Sequence, residues 1–425
     1  MMDASSITIV AGGMLLYSLL SGRLSGTIVT APLVFVLFGF AISSAGFGFA
    51  TIEPGHTGIH LLAECTLILV LFTDAARIDL GRVRRDHNLP VRMLLVGLPL
   101  VIAGGALVAA QMFPAISLWE AALLAALLAP TDAALGQSVV SAREVPVRVR
   151  QAINVESGLN DGIALPAVLL FAALAGGGHG ADDAAGWVRF ILLQLTLGPL
   201  TGVLLGYVGA RLLDIAATRG WMNEAAQGIG VLSLAVLIYV VAELVGGNGF
   251  IAAFVGGMVF GNSIRHPCMF LFEFMETEGQ LLMLITFLVF GAALLPDGFA
   301  HLKPEYLLYA VLSLTLIRLV PIAISLVGSG LRLPTVLFLG WFGPRGLASI
   351  LFVLLILEDS GIAHREQLLT VTVLTVALSI VLHGVTAAPF ARLFGKRAGE
   401  MGECAENEPV AELPLREGPP SNTNE

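Results

Sequence analysis

The chain has 425 residues, 56% of them hydrophobic and 12% charged, with a mean hydropathy of +0.89. A soluble globular chain carries about a quarter charged residues, and half that proportion leaves too little polar surface to wet a fold of this length. The formal net charge of −9 lies largely in the C-terminal tail and in loops, so it points to no acidic or basic partner and to no nucleic acid.

The apolar residues come in runs of about 18–22, long enough to cross a hydrocarbon layer of roughly 30 Å, which makes the lipid bilayer the solvent of this protein. Met1 to Ser6 lacks basic residues, and the apolar run that follows reads as a first span and not as a cleavable signal. In chain order the expected spans are 6–21, 27–46, 58–76, 90–112, 118–140, 150–175, 187–212, 225–244, 249–262, 276–295, 304–328, 334–357 and 366–394. The reading is therefore an all-α polytopic membrane protein with about 13 transmembrane helices. Cys65, Cys268 and Cys404 are scattered, with neither a metal spacing nor a disulfide framework.

Alternate connections carry the basic residues. One set holds Arg23; Arg82, Arg84 and Arg85; Arg143, Arg148 and Arg150; Arg211 and Arg219; Arg265; Arg332; and Arg392, Lys396 and Arg397. The other holds little beyond Arg189, Lys303 and Arg365, and it carries Glu53, Asp182, Asp183, Asp297, Glu358 and Asp359. The positive-inside rule makes the first set cytoplasmic, with the N-terminus outside and the C-terminus inside a cell (inner) membrane. Residues 1–396 form the membrane domain, and 397–425, polar, acidic and Pro-containing, read as a disordered cytoplasmic tail.

Two spans are interrupted at polar sequence, the fifth at Ala129-Pro130-Thr131-Asp132 and the twelfth at Trp341-Phe342-Gly343-Pro344-Arg345-Gly346. Such a matched pair is the sequence sign of discontinuous helices at a transporter's midplane. Pro130 has no N–H, and the carbonyls it frees near Ala129 and Thr131 are available to a cation. Asp132 beside them is either a ligand or the cap of the helical segment that follows.

The sixth span reads Asn154-Val155-Glu156-Ser157-Gly158-Leu159-Asn160-Asp161-Gly162. Spacings of three and four put Ser157, Asn160 and Asp161 on one stripe, with Glu156 a turn from Asn160. A hard monovalent cation prefers several oxygens, which Asp161, Ser157 and the disrupted backbone near Thr131 supply together, and no cofactor is called for. Burial disfavours a charged carboxyl, so a proton and a cation compete for Asp161. Arg318 and Arg345 also lie mid-span and need partners. Glu156 suits one of them, Arg318 the more natural, as a structural ion pair; Arg345 otherwise sets the local potential of the broken twelfth span.

Weaker positions are Glu64, a water-mediated ligand or entry residue; Asp74, structural beside Arg77; and Glu243, at an interface. His56, His60, His87, His266, His301 and His383 are read as falling mostly at span ends or in loops, solvated.

Thr131-Asp132 followed by Glu156-Ser157-x-x-Asn160-Asp161 resembles the monovalent cation/proton antiporter-1 family of sodium/proton exchangers. The likeness extends to Leu71-Phe72-Thr73-Asp74, to Arg318 and to the Gly-x-Arg-Gly at 343–346, and covers the whole membrane region. It implies two inverted repeats with unwound, crossing fifth and twelfth spans. It also implies a core bundle at about 90–175 and 304–394, a dimerisation part at about 6–76 and 225–295, and a homodimer. In the family the aspartate matching Asp161 binds cation and proton alternately, those matching Asp132, Ser157 and Thr131 help, and the asparagine matching Asn160 goes with electroneutral exchange. The chain departs where Ala133, not Pro, follows Asp132, and where Ala75 or Ala76 replaces Gly. The expected function is antiport of a monovalent cation, sodium first, with potassium or mixed-cation exchange as the alternative. A channel and an intramembrane aspartyl protease are the remaining rivals, the latter lacking its Gly-x-Gly-Asp string.

Overall fold

The computed structural model describes residues 4–24, 27–49, 57–78, 80–81, 88–176, 184–264, 269–356, 361–400 and 405–407. Among these residues there is no strand. Nine helices among the described residues are long and apolar enough to cross a membrane, and Ala31–Ile42, Leu118–Leu127 and Gly249–Ser263 are shorter apolar helices.

In chain order they are α1 (Ala4–Leu24), α2 (Ala31–Ile42), α3 (Thr57–Ala76), α4 (Asn88–Met112), α5 (Leu118–Leu127), α6 (Ala133–Val140), α7 (Val147–Ala175) and α8 (Ala184–Thr218). There follow α9 (Glu224–Leu244), α10 (Gly249–Ser263), α11 (269–300), α12 (Pro304–Leu314), α13 (Leu316–Ser325), α14 (Leu333–Trp341), α15 (Leu347–Ile356) and α16 (Arg365–Glu400).

Helix starts follow local chemistry. Ser117 and Glu120 form a capping box at α5, with Ser117 Oγ accepting the Glu120 N–H and Glu120 returning an acceptor to Ser117 N–H. Prolines sit in the first turn of α2, α12 and α14, where a missing N–H is harmless. Asn248 caps α10 through Ile251 N–H, and Glu243 accepts the Gly249 N–H at 2.7 Å, so this carboxylate serves a helix end.

The fifth span is α5 and α6 with residues 128–132 unwound between them; the twelfth is α14 and α15 with 342–346 unwound. Pro130 and Pro344 lie within these gaps and cannot donate to a helical ladder. A third interruption has no proline at it: α12 and α13 part at Thr315, whose φ of −116° and ψ of −97° are non-helical.

Glycines let α10 approach two neighbours at backbone distance. A Cβ at Gly257 or Gly261 would lie 2.2 Å from Phe72 O or 1.9 Å from Ala76 O of α3. On the other side Gly202 and Gly206 of α8 meet Ala252 O and Gly256 O at 2.5 Å in the same sense. This is membrane helix association through small residues.

The C-terminal end differs from the expected boundary. Helix α16 continues to Glu400 and a 3-10 turn forms at Ala405–Asn407, where a disordered tail was expected from 397. Glu406 in that turn is buried and accepts from Arg332 N–H at 2.8 Å and from Thr335 Oγ1 at 2.9 Å. An acidic side chain at the start of α14 offsets the positive end of that helix, which gives a polar residue a reason to leave water. Residues 401–404 and 408–425 lie outside the described residues, as do His56, His87 and His266.

Candidate functional site

The two gaps meet. Asp132 N–H donates to Pro344 O at 2.8 Å, and Leu347 N–H donates to Asp132 Oδ2 at 2.7 Å. Asp132 Oδ1 accepts the Leu135 N–H at 3.3 Å. One carboxylate thus caps α6, which follows it in sequence, and α15, which lies across the crossing. Two positive helix ends face it. Gly346 is required here, since a Cβ would sit 2.0 Å from Asp132 Oδ2.

Arg345 answers the opposite pole. Its Nη1 donates to Ala129 O and to Pro130 O, the carbonyls left open beyond the C-terminus of α5. Ser349 Oγ takes Leu127 O at 2.7 Å, another terminal carbonyl of that helix. Guanidinium at the negative end and carboxylate at the positive ends make the crossing electrostatically consistent in lipid. Arg345 is fully buried, and its Nε and Nη2 have no hydrogen-bond partner among the described residues.

Arg318 takes Glu156. Its Nη2 lies 2.9 Å from both Glu156 oxygens and its Nε donates to Gly340 O at 3.1 Å, with both side chains buried. The pair joins α7 to α13 and, through Gly340, to α14. Arg345 is not a member of it, contrary to one reading of the sequence, because backbone carbonyls released by the gap give it acceptors of its own.

The cluster of oxygens sits on α7 and the gap before α6. Thr131 Oγ1 is 3.1 Å from Ser157 Oγ and accepts from Asn160 Nδ2. Thr131, Ser157 and Asn160 are all buried, and Asn160 Oδ1 has no hydrogen-bond partner among the described residues. Asp161, one helical turn beyond Ser157, is only partly buried. It is the least buried of the four, although its Oδ1 is itself buried.

Two expectations change, those for Ala129 O and for His383. Ala129 O was a candidate cation ligand, but Arg345 occupies it, and a guanidinium there repels a second cation. Glu64 is held by α9, where Tyr239 Oη donates to its Oε1 at 2.6 Å. Asp74 and Arg77 are partly buried near the end of α3. His383 is not solvated: it is 1% exposed in the middle of α16, with ring nitrogens near Ser379 O and Trp341 O. The even apolar run of the thirteenth span hid it, and only its distance from either end of that run marks it as buried. Tyr309, also unremarked in the sequence, is buried and donates to Gly105 O at 3.1 Å.

A bundle of membrane-length helices in which two interrupted helices cross at compensated charges is the architecture of a secondary transporter. The chain belongs to the sodium/hydrogen exchanger family, whose transmembrane profile matches residues 9–393. It is 24% identical to the K(+)/H(+) antiporter NhaP of Alkalimonas amylolytica over 397 residues, covering 92% of this chain and 67% of that protein. It is 26% identical to the K(+)/H(+) antiporter NhaP2 of Shewanella oneidensis, covering 92% of this chain and 68% of that protein. The chain thus spans about two thirds of the length of these two relatives. Its fold is similar to that of the sodium proton antiporter MjNhaP1 from Methanocaldococcus jannaschii, with a TM-score of 0.74 at 17% identity over 91% of this chain and 96% of that one. Family and fold are those of cation/proton antiporters, transporters and not enzymes.

Proposed function

We propose that the chain exchanges a monovalent cation, sodium first, for protons across a cell membrane, one for one, with cation and proton competing for Asp161. The observation that carries this is the partly exposed Asp161, next in sequence to an Asn160 whose Oδ1 has no hydrogen-bond partner among the described residues, and one turn from Ser157, whose Oγ lies 3.1 Å from Thr131 Oγ1. These oxygens suit a hard cation, and a bound cation or a proton neutralises the carboxylate. Only a neutralised site crosses a medium in which a bare charge is expensive. Asp132 acts through the crossing it caps and steadies Thr131 next to it.

Electroneutrality follows from one titrating carboxylate with a neutral amide as its neighbour. The alternative of potassium or mixed-cation exchange draws on the names of the NhaP relatives, and the same oxygens would serve it. The orientation with the N-terminus outside and the C-terminus cytoplasmic, in a homodimer contributing to pH homeostasis, completes the reading; the alternation of basic connections supports the orientation.

The test is dissipation of a pH gradient in proteoliposomes on adding sodium, lithium or potassium, with wild type beside Asp161→Asn. Sodium is expected to collapse the gradient in wild type and not in the variant. An Asp161→Asn protein that responds like wild type sinks the assignment, and a rate that follows an imposed membrane potential sinks one-for-one exchange.

A further inference from the structure

The last helix grips the broken twelfth span on both sides of its gap. Ser379, His383 and Thr386 are spaced four and three apart and so share one stripe of α16. On the far side of the gap, Ser379 Oγ accepts the Arg345 N–H at 2.7 Å. On the near side, His383 Nε2 lies 3.0 Å from Trp341 O, and Trp341 Nε1 donates to Thr386 Oγ1 at 3.1 Å. The Trp341 and His383 rings lie 5.3 Å apart at 33°. His383 Nδ1 closes the circuit, 3.2 Å from Ser379 Oγ.

A bond from the ring across the gap requires one form of it. Trp341 O can only accept, so Nε2 carries the proton. Ser379 Oγ already accepts from Arg345 N–H and has its own proton to give, and Nδ1 of the neutral ring accepts it. This neutral tautomer satisfies the Trp341 O and Ser379 Oγ contacts and leaves Nδ1 facing the Ser379 carbonyl at 3.0 Å, to which it does not donate. It adds no positive charge beside Arg345 and Arg318, which are the charged groups that act on it, with Glu156 bound to Arg318. The alternative tautomer would donate to Ser379 O within α16 and set its lone pair against Trp341 O, leaving no bond from the ring to the twelfth span.

We propose that His383 is a positioning residue for the transported cation: as a neutral Nε2–H ring it ties Trp341 to Arg345 through Ser379 and so holds the gap of the twelfth span in register with Thr131. The line of contacts is short. His383 and Ser379 fix the Arg345 backbone; the Arg345 guanidinium holds Ala129 O and Pro130 O; Thr131 comes next in the chain and shares its hydroxyl with Ser157 and Asn160. His383 touches no ion. Its part is to keep a buried guanidinium on those carbonyls and away from the oxygens of the site, where a fixed positive charge would compete with the cargo.

This inference rests on the antiport reading, and the experiment separates the two. Gradient dissipation in proteoliposomes is measured against sodium, lithium and potassium concentration and against pH for wild type, His383→Leu, Ser379→Ala and His383→Gln. The first two variants are expected to raise the half-saturating cation concentration about fivefold or more, the scale of one lost buried hydrogen bond, with the maximal rate within about twofold of wild type. His383→Gln offers an amide N–H near the Nε2 position and is expected to restore half-saturation with an unchanged pH profile. A wild-type half-saturation in both His383→Leu and Ser379→Ala overturns the proposal. So does a changed pH profile in His383→Gln, which would make the ring a titrating group. A loss of maximal rate alone, at wild-type half-saturation, also overturns it by reducing His383 to a folding role. If His383→Leu does not fold, Ser379→Ala and His383→Gln still decide. A wild type that answers to no cation removes the antiport reading and this inference together, whereas an active wild type with unaltered variants removes only this one.

Discussion

Asp132 Oδ2 accepts the Leu347 N–H at 2.7 Å across the crossing of two broken helices, while its Oδ1 caps the helix that Asp132 itself begins. The carboxylate therefore belongs to two helix ends at once. Each cap contributes about 0.5–2 kcal/mol, the upper part of that range applying where water cannot replace it. Asp132→Asn keeps one oxygen and should unfold at a lower temperature with reduced transport. Asp132→Ala should lose both caps and fall further on both measures. Equal melting temperatures for wild type and Asp132→Ala would contradict the double cap.

Arg318 and Glu156 make a pair that is cheap to keep and expensive to halve. Removing one partner leaves a buried charge alone and should cost about 3–5 kcal/mol, whereas replacing both with apolar residues of similar size often costs little. Glu156→Leu and Arg318→Met should each destabilise strongly, and the double variant should recover much of the loss. The check is a double-mutant cycle by thermal unfolding in detergent; additive losses would show that the two side chains do not act as a pair.

Gly343 and Gly346 flank Arg345, and each faces a charged group. A Cβ at Gly343 would lie 1.8 Å from Arg318 Nε, and one at Gly346 2.0 Å from Asp132 Oδ2. Gly343→Ala should push the guanidinium off Glu156, and Gly346→Ala should open the crossing. Both are expected to lower the melting temperature and abolish most transport, with Gly340→Ala milder because it meets the flexible Leu319 side chain at 2.8 Å. The ranking is read from parallel stability and flux assays.

The proposed competition at Asp161 has a sign. A cation needs the deprotonated carboxylate, so acidification should raise the half-saturating cation concentration, by up to about tenfold per pH unit where the carboxyl is mostly protonated. Ser157→Ala should raise half-saturation at every pH while keeping that slope. Asp161→Asn should show no exchange at any pH. A half-saturation independent of pH in wild type would rule out a shared site.

Much of this arrangement was legible in the residues. The all-helical membrane class followed from run lengths, both helix gaps from Pro130 and Pro344, and the Glu156–Arg318 pair from the expense of burying either alone. Other parts had no signature. Arg345 binds backbone carbonyls, which every residue has, so nothing in the string of letters named Ala129 and Pro130 as its acceptors. The break at Thr315 lacks a proline or glycine at its position. His383 looked like a span-end histidine because its partners, Ser379 and Trp341, meet only after the thirteenth and twelfth spans pack. The sequence offered Asp132 as a supporting ligand, and its cap on α15 had no signature for the same reason: Leu347 is more than two hundred residues away.

The glycines that seat α10 between α3 and α8 have a mechanical consequence. Where backbones touch, no side chain is left to change rotamer and let one helix slip along the next. These three helices are expected to move as one plank, and the proposed reorientation of Asp161 would then yield at joints filled by side chains. Spin labels on the lipid-facing sides of α3 and α8 should therefore keep their separation at high and low pH, with and without cation.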